Sequence, residues 1–158
     1  MRVQFGIRSL FVVFVVVALG TWLIVDSFRN RPLQWEPYSS ATLQLALQRN
    51  QSVLITLSAD WDPICAYHET TAINSDDSYR FIRDHGLVTL RADMTNSDPA
   101  VVQLLRDNGL VSIPAFLLYH PAFPHDPLIL KNAVSKERLQ AAIRLNAKRA
   151  IAPIGQTL

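Results

Sequence analysis

The 158 residues are 49% hydrophobic and 18% charged, with nine prolines, five glycines and one cysteine. That balance excludes a disordered chain, a collagen-like repeat and a polytopic membrane protein, and the length allows one domain with a core plus a short appendage. The net charge of +2 leaves no electrostatic footprint for nucleic acid, so no such partner is expected.

Residues 1–8 are a short N-terminal segment carrying Arg2 and Arg8. Residues 9–25, SLFVVFVVVALGTWLIV, hold no charge and sit at the short end of the about 17–25 residues that cross a hydrocarbon core as a helix. The run reads as a single transmembrane anchor, with Trp22 near one boundary. The competing reading is a signal peptide cleaved after Ala18-Leu19-Gly20; the apolar continuation from Thr21 to Val25 argues for the anchor. Arg2, Arg8 and the terminal amine flank one side, and Arg29 and Arg31, diluted by Asp26, flank the other. The positive-inside bias then places the folded part outside the cytoplasm, on the periplasmic side in a bacterium. Residues 26–37, polar and punctuated by prolines, read as a linker. Residues 38–150 read as the folded domain and 151–158 as an unassigned tail.

Ser39-Ser40 offers a helix N-cap, and Leu43, Leu45, Ala46 and Leu47 carry a short helix to Asn50. Ser52 to Ser58 is a β-branched apolar run of strand length, expected to be buried on both faces. Asp62-Pro63 opens a helix, with Asp as cap and Pro at the first helical position. Asn74-Ser75 precedes another helix bearing Tyr79, Phe81 and Ile82, closed by Gly86. Leu87 to Asp93 reads as a strand. Asp98-Pro99 repeats the capping device for a helix through Leu104 and Leu105, closed at Gly109. A strand begins at Ile113-Pro114 and runs to Tyr119. A proline-rich turn spans His120 to Pro127, and a strand follows from Leu128 to Lys131. Ser135 caps a final helix with Leu139, Ala142, Ile143 and Leu145 inward. The basic residues gathered late (Lys131, Lys136, Arg138, Arg144, Lys148 and Arg149) read as its solvated face. Helices between the early strands imply parallel crossovers, and the late hairpin implies an antiparallel edge. The expected fold is therefore α/β, a mixed sheet with helices on both faces, preceded by one transmembrane helix.

This order, joined to VLITLSADWDPIC from Val53 to Cys65, is similar to thioredoxin. It resembles more closely the C-terminal extracytoplasmic domain of the thiol:disulfide interchange protein DsbD. In that family the strand runs into Ala-Asp-Trp-Cys-x-x-Cys at a helix start. Ala59-Asp60-Trp61 and Cys65 match, and Asp62 stands where the first cysteine would be. Ser112-Ile113-Pro114 matches the family's cis-proline segment, which lies against the redox motif. The resemblance covers roughly Trp35 to Ala147, and it implies a thioredoxin-like mixed sheet. It also implies that the nucleophilic cysteine is missing and that Cys65 holds the resolving position, so dithiol catalysis is not expected. Thr56 falls where thioredoxins often hold a buried acid.

Asp62 allows two roles. It can place a permanent negative charge where the thiolate would stand, or act only as a cap, as Asp98 does. Burial and the adjacent carboxylate should outweigh the helix dipole at Cys65, leaving a sluggish thiol. Asp62, Cys65, and His68 or Glu69 share a helix face but spread over two turns, too far to converge on one ion without His120 or His125. No metal and no cofactor are expected. Two functions remain. In the first, a non-catalytic module holds a protein partner or extended peptide at Trp61, Pro63, Ile113 and Pro114. In the second, a single-cysteine thiol-disulfide oxidoreductase acts through Cys65 on a partner thiol.

Overall fold

Six consecutive buried residues, Val53–Ser58, form the central strand β2. A strand buried on both faces needs a layer on each side, and two sets of helices supply them. The computed structural model describes residues 13–21, 33–132 and 134–149, and the chain divides into two compact units, Met1–Pro32 and Leu33–Leu158.

In the first unit, residues 13–21 are helical (α1), with Val13, Phe14, Val16, Val17 and Leu19 exposed. The Thr21 hydroxyl donates back to the Val17 and Ala18 carbonyls at 2.8 and 2.9 Å. Among the described residues no helix is long and apolar enough to cross a membrane. The expected anchor over 9–25 lies outside the described residues at both of its ends. So do segment 1–8, residues 26–32 of the expected linker, and tail 151–158.

The second unit runs β1 Glu36–Pro37, α2 Ser40–Gln48, β2, α3 Pro63–His68, a π-helical turn Glu69–Ile73, α4 Asp76–Asp84, β3 Val88–Asp93, α5 Pro99–Asp107, β4 Ala115–His120, β5 Phe123–Lys131 and α6 Lys136–Arg149. The strands form one sheet in the order β1-β3-β2-β4-β5. β3 pairs parallel with both β1 and β2, whereas β4 is antiparallel to β2 and β5. This is the expected mixed sheet. On one face Leu43 and Ala46 of α2 and Val101 and Leu104 of α5 pack against Ile55, Leu57 and Leu117. On the other, Ile73, Ile82 of α4, and Leu139, Ala142 and Ile143 of α6 pack against Leu54, Phe116 and Leu118. Gly86 and Gly109, at φ +62° and +58°, end α4 and α5 in the left-handed conformation that glycine adopts without a Cβ penalty.

Four details depart from the sequence-based expectation. The stretch read as linker enters the sheet at its end. Glu36 and Pro37 pair with Leu90 and Arg91, and Leu33 and Trp35 pack against the second core. The proline-rich turn is shorter, because β5 already begins at Phe123. Pro124 and Pro127 fit there because β5 is an edge strand, where a missing N–H breaks no ladder. In α6 the inward position after Ile143 is Asn146, 2% exposed, and Leu145 is 55% exposed. Finally, the helix opened by Asp62 is only six residues long and passes into the π-helical turn.

Candidate functional site

The site grows from the end of β2, where the chain leaves the sheet as Ala59-Asp60-Trp61 and turns into α3. Asp62 sits in extended conformation (φ −97°, ψ 110°) and caps the helix, with Pro63 at its first position. One carboxylate oxygen, Oδ1, accepts from the Ile64 N–H at 3.0 Å. The other, Oδ2, accepts from the Cys65 thiol at 3.0 Å. Burial pushes the Cys65 thiol up to about 12, helped by its hydrogen bond to Asp62 and by the nearby negative charges of Asp62 and Glu69. The Asp62 carboxyl is held below its ordinary value, first by the thiol's hydrogen bond and then by the Ile64 N–H. The contact thus favours an ionised Asp62, while Cys65, 2% exposed, stays protonated chiefly through burial and secondly through its hydrogen bond to Asp62.

The loop carrying Trp61 is fastened from both sides. The Asp60 N–H donates to the Thr95 hydroxyl at 2.9 Å, and Asp93 accepts from both the backbone and the hydroxyl of Thr95. Arg91 on β3 reaches Asp60 at 2.7 Å and Glu69 at 3.4 Å, tying the loop to the end of α3. At the neighbouring strand the Ile113–Pro114 peptide is cis. Ala115 stands opposite Leu57, so the next step of the ladder sets Pro114 level with Ser58, at the sheet end from which the Trp61 loop departs.

Comparison with known families fits this arrangement of strand, capped helix and cis-proline. A family model described as Thioredoxin-like matches residues 34–121. The chain belongs to the Thioredoxin-like family. No curated protein sequence matches it. Among solved structures it is similar to the oxidised DsbD C-terminal domain of Neisseria meningitidis (17% identity, TM-score 0.56, covering 70% of this chain and 98% of that one). It is also similar to a thioredoxin from Thermus thermophilus (14%, TM-score 0.60, 81% and 100%) and to Trxlp from Edwardsiella tarda EIB202 (22%, TM-score 0.54, 70% and 98%). At these identities the likeness is one of fold.

Within this Thioredoxin-like domain the residues singled out from sequence separate into three environments. Asp62 and Cys65 touch. Trp61 is 64% exposed and Pro63 is exposed beside it. Ile113 is half-buried against the first core and Pro114 is buried. The apolar surface at this end of the sheet includes residues that the sequence reading left out: Ile64 (56% exposed) and Tyr67 (64%) on α3, and Val111 before the cis-proline. The signal was available. Ile64 and Tyr67 stand three apart on α3, a spacing that keeps neighbours on one helix surface, with Trp61 in the loop just before it. Asp60, Glu69, Arg91 and Thr95 were likewise missed as a network, because their partners are distant in sequence. Thr56 is buried between Arg91 and Phe116 in the sheet. It borders a cavity of about 190 Å³ shared with Trp35, Glu69, Ile73, Asn74 and Arg91. His68 is buried one turn beyond Cys65, and its Nδ1 has no hydrogen-bond partner. Among the described residues no group of three His, Cys, Asp or Glu side chains could hold a metal ion.

Proposed function

We propose that this chain is a membrane-anchored thioredoxin-like module in a thiol-disulfide setting, which holds a partner protein or extended segment and performs no dithiol catalysis. The observation that carries the reading is the Asp62–Cys65 contact. A thiol must ionise to attack a disulfide, and here burial and a carboxylate 3.0 Å away both oppose ionisation. Asp62 takes the position of the first cysteine of the redox motif and keeps a negative charge there without a nucleophile. What is left for function is recognition, through exposed Trp61 and Pro63 at the sheet end that carries Ile113 and Pro114. Membrane attachment rests on the uncharged run 9–25, and the folded domain is assigned to the extracytoplasmic side by the flanking arginines.

The test is repair of the motif. Asp62→Cys creates Cys-Pro-Ile-Cys ending at native Cys65, one helical turn away on the same face. Under mild oxidant the variant should form an intramolecular disulfide and gain some reductase activity, whereas the wild-type chain should show none. Two free thiols in a folded variant would show that Asp62 does not occupy the first redox position. Wild-type turnover would instead establish the other reading, exchange through Cys65 with a partner thiol. Rapid labelling of Cys65 in the folded wild-type chain, at the rate of the unfolded one, would point the same way.

A further inference from the structure

Trp61, in the loop before α3, and Ile64 and Tyr67, three apart on α3, are all more than half exposed and make an apolar ridge beside the capped helix start. An apolar ridge of this kind marks an interaction surface, and the charges around it specify the occupant. Asp60 and Asp62 flank Trp61 in sequence. Asp93 is joined to the Asp60 backbone through Thr95, Glu69 closes the far end of α3, and Glu137 lines a pocket with Tyr67. Against these stand Arg91, already shared between Asp60 and Glu69, Lys131, which the sheet register places opposite Ala115, and Lys136, which lines the same pocket as Tyr67 and is paired with Asp77. Carboxylates outnumber cations on this surface, although the chain as a whole carries +2.

We propose that the ridge takes an apolar protein segment flanked by lysine or arginine, with its side chains on Trp61, Ile64 and Tyr67 and its cations toward Asp60 and Asp62. This deepens the module reading and rests on it. The same charge disfavours an anionic lipid surface, because carboxylates around an apolar ridge repel acidic headgroups. It also disfavours acidic peptides, since like charges brought together at an interface oppose binding.

The experiment uses the full chain in detergent micelles. Calorimetry follows two synthetic peptides with one valine-leucine core, flanked by lysines in one and by glutamates in the other. The lysine peptide should bind roughly tenfold more tightly at low salt, the sum of several exposed charge pairs. The preference should shrink as salt screens it. Asp60→Asn with Asp62→Asn should abolish the preference while binding of the apolar core persists. Tyr67→Ser should weaken both peptides without changing the preference. Equal binding of the two peptides overturns the charge assignment but leaves the module reading standing. Binding of neither peptide overturns both. Self-association of the chain that Tyr67→Ser abolishes overturns the proposal in favour of a second copy as occupant.

Discussion

The domain opens two helices with the same dipeptide, and the pair separates what a cap does from what a site does. Asp98 and Asp62 each accept from the N–H two residues on, at 2.8 and 3.0 Å, and each is followed by proline at the first helical position. The third residue after the cap differs. Beyond Asp98 it is Val101, buried in the first core. Beyond Asp62 it is Cys65, also buried, whose thiol gives the second carboxylate oxygen a partner. The helices then diverge. α5 runs nine residues and ends on Gly109, while α3 runs six and passes into a π-helical turn. The caps are alike in their hydrogen bonds, so what distinguishes Asp62 is a single side chain one turn further on, the Cys65 thiol. The large apolar residues make the same point: α5 buries Val101 and Leu104 and half-buries Val102 and Leu105, whereas α3 leaves Ile64 and Tyr67 in solvent.

That contrast can be broken most forcefully in the core. Leu104 of α5 is almost fully buried, and Leu104→Ala should cost about 2–5 kcal/mol in urea unfolding, as lost burial plus a residual cavity. Ile64→Ala, on the outward face of α3, should stay within about 0.5 kcal/mol. Equal losses would mean that the α3 ridge is covered in the folded protein, and the recognition reading would fail.

The next effect is alkaline. A thiol whose ordinary value is 9.0 and which the fold raises to about 12 binds its proton more tightly when folded. The stability this contributes is complete below pH 9 and lost as pH rises from 9 toward 12, where the unfolded chain ionises first. The loss approaches about 1.4 kcal/mol per pH unit for one proton. Tyrosines titrate in the same range, so the measurement is the difference between wild type and Cys65→Ala. The wild-type unfolding midpoint should fall more steeply above pH 9. Parallel curves would show that Cys65 ionises as freely folded as unfolded.

The sequence revealed whatever depends on neighbours along the chain. Ser39, Asp62, Ser75 and Asp98 cap helices as expected, because a cap is a relation over two or three residues. The buried β2 and the late antiparallel pair were legible from apolar runs and turn residues. The Asp62–Cys65 contact follows from the same local spacing. What escaped depends on partners far away. The two-residue strand Glu36–Pro37 exists only because β3 offers a free edge, and nothing in its own composition says strand. Pro124 and Pro127 read as turn residues because their tolerance in β5 depends on its edge position. The link from Arg91 to Asp60 and Glu69 joins residues 31 apart in the former case. The outward turn of Leu145 and burial of Asn146 reflect where α6 meets the end of β4, at the Tyr119 carbonyl.

The smaller effects distinguish the two caps directly. Asp98→Ala removes a cap and nothing else, and should cost about 0.5–2 kcal/mol by urea unfolding. Asp62→Asn is the subtler change. Asparagine caps as well as aspartate, so the helix start should survive with little change in the unfolding midpoint. The carboxylate that opposes Cys65 ionisation is gone, however, and the carboxamide can donate to a thiolate. The thiol should therefore move down from about 12 toward its ordinary 9.0. Burial, the larger cause, remains, so the descent is partial. Labelling of Cys65 in the folded chain at pH 9 should accelerate several-fold, because the rate follows the thiolate fraction, roughly tenfold per unit of pKa. Asp98→Asn should leave that rate untouched. If Asp62→Asn leaves it untouched as well, Asp62 is a cap like Asp98, burial alone silences the thiol, and the carboxylate has no part in the chemistry of the site.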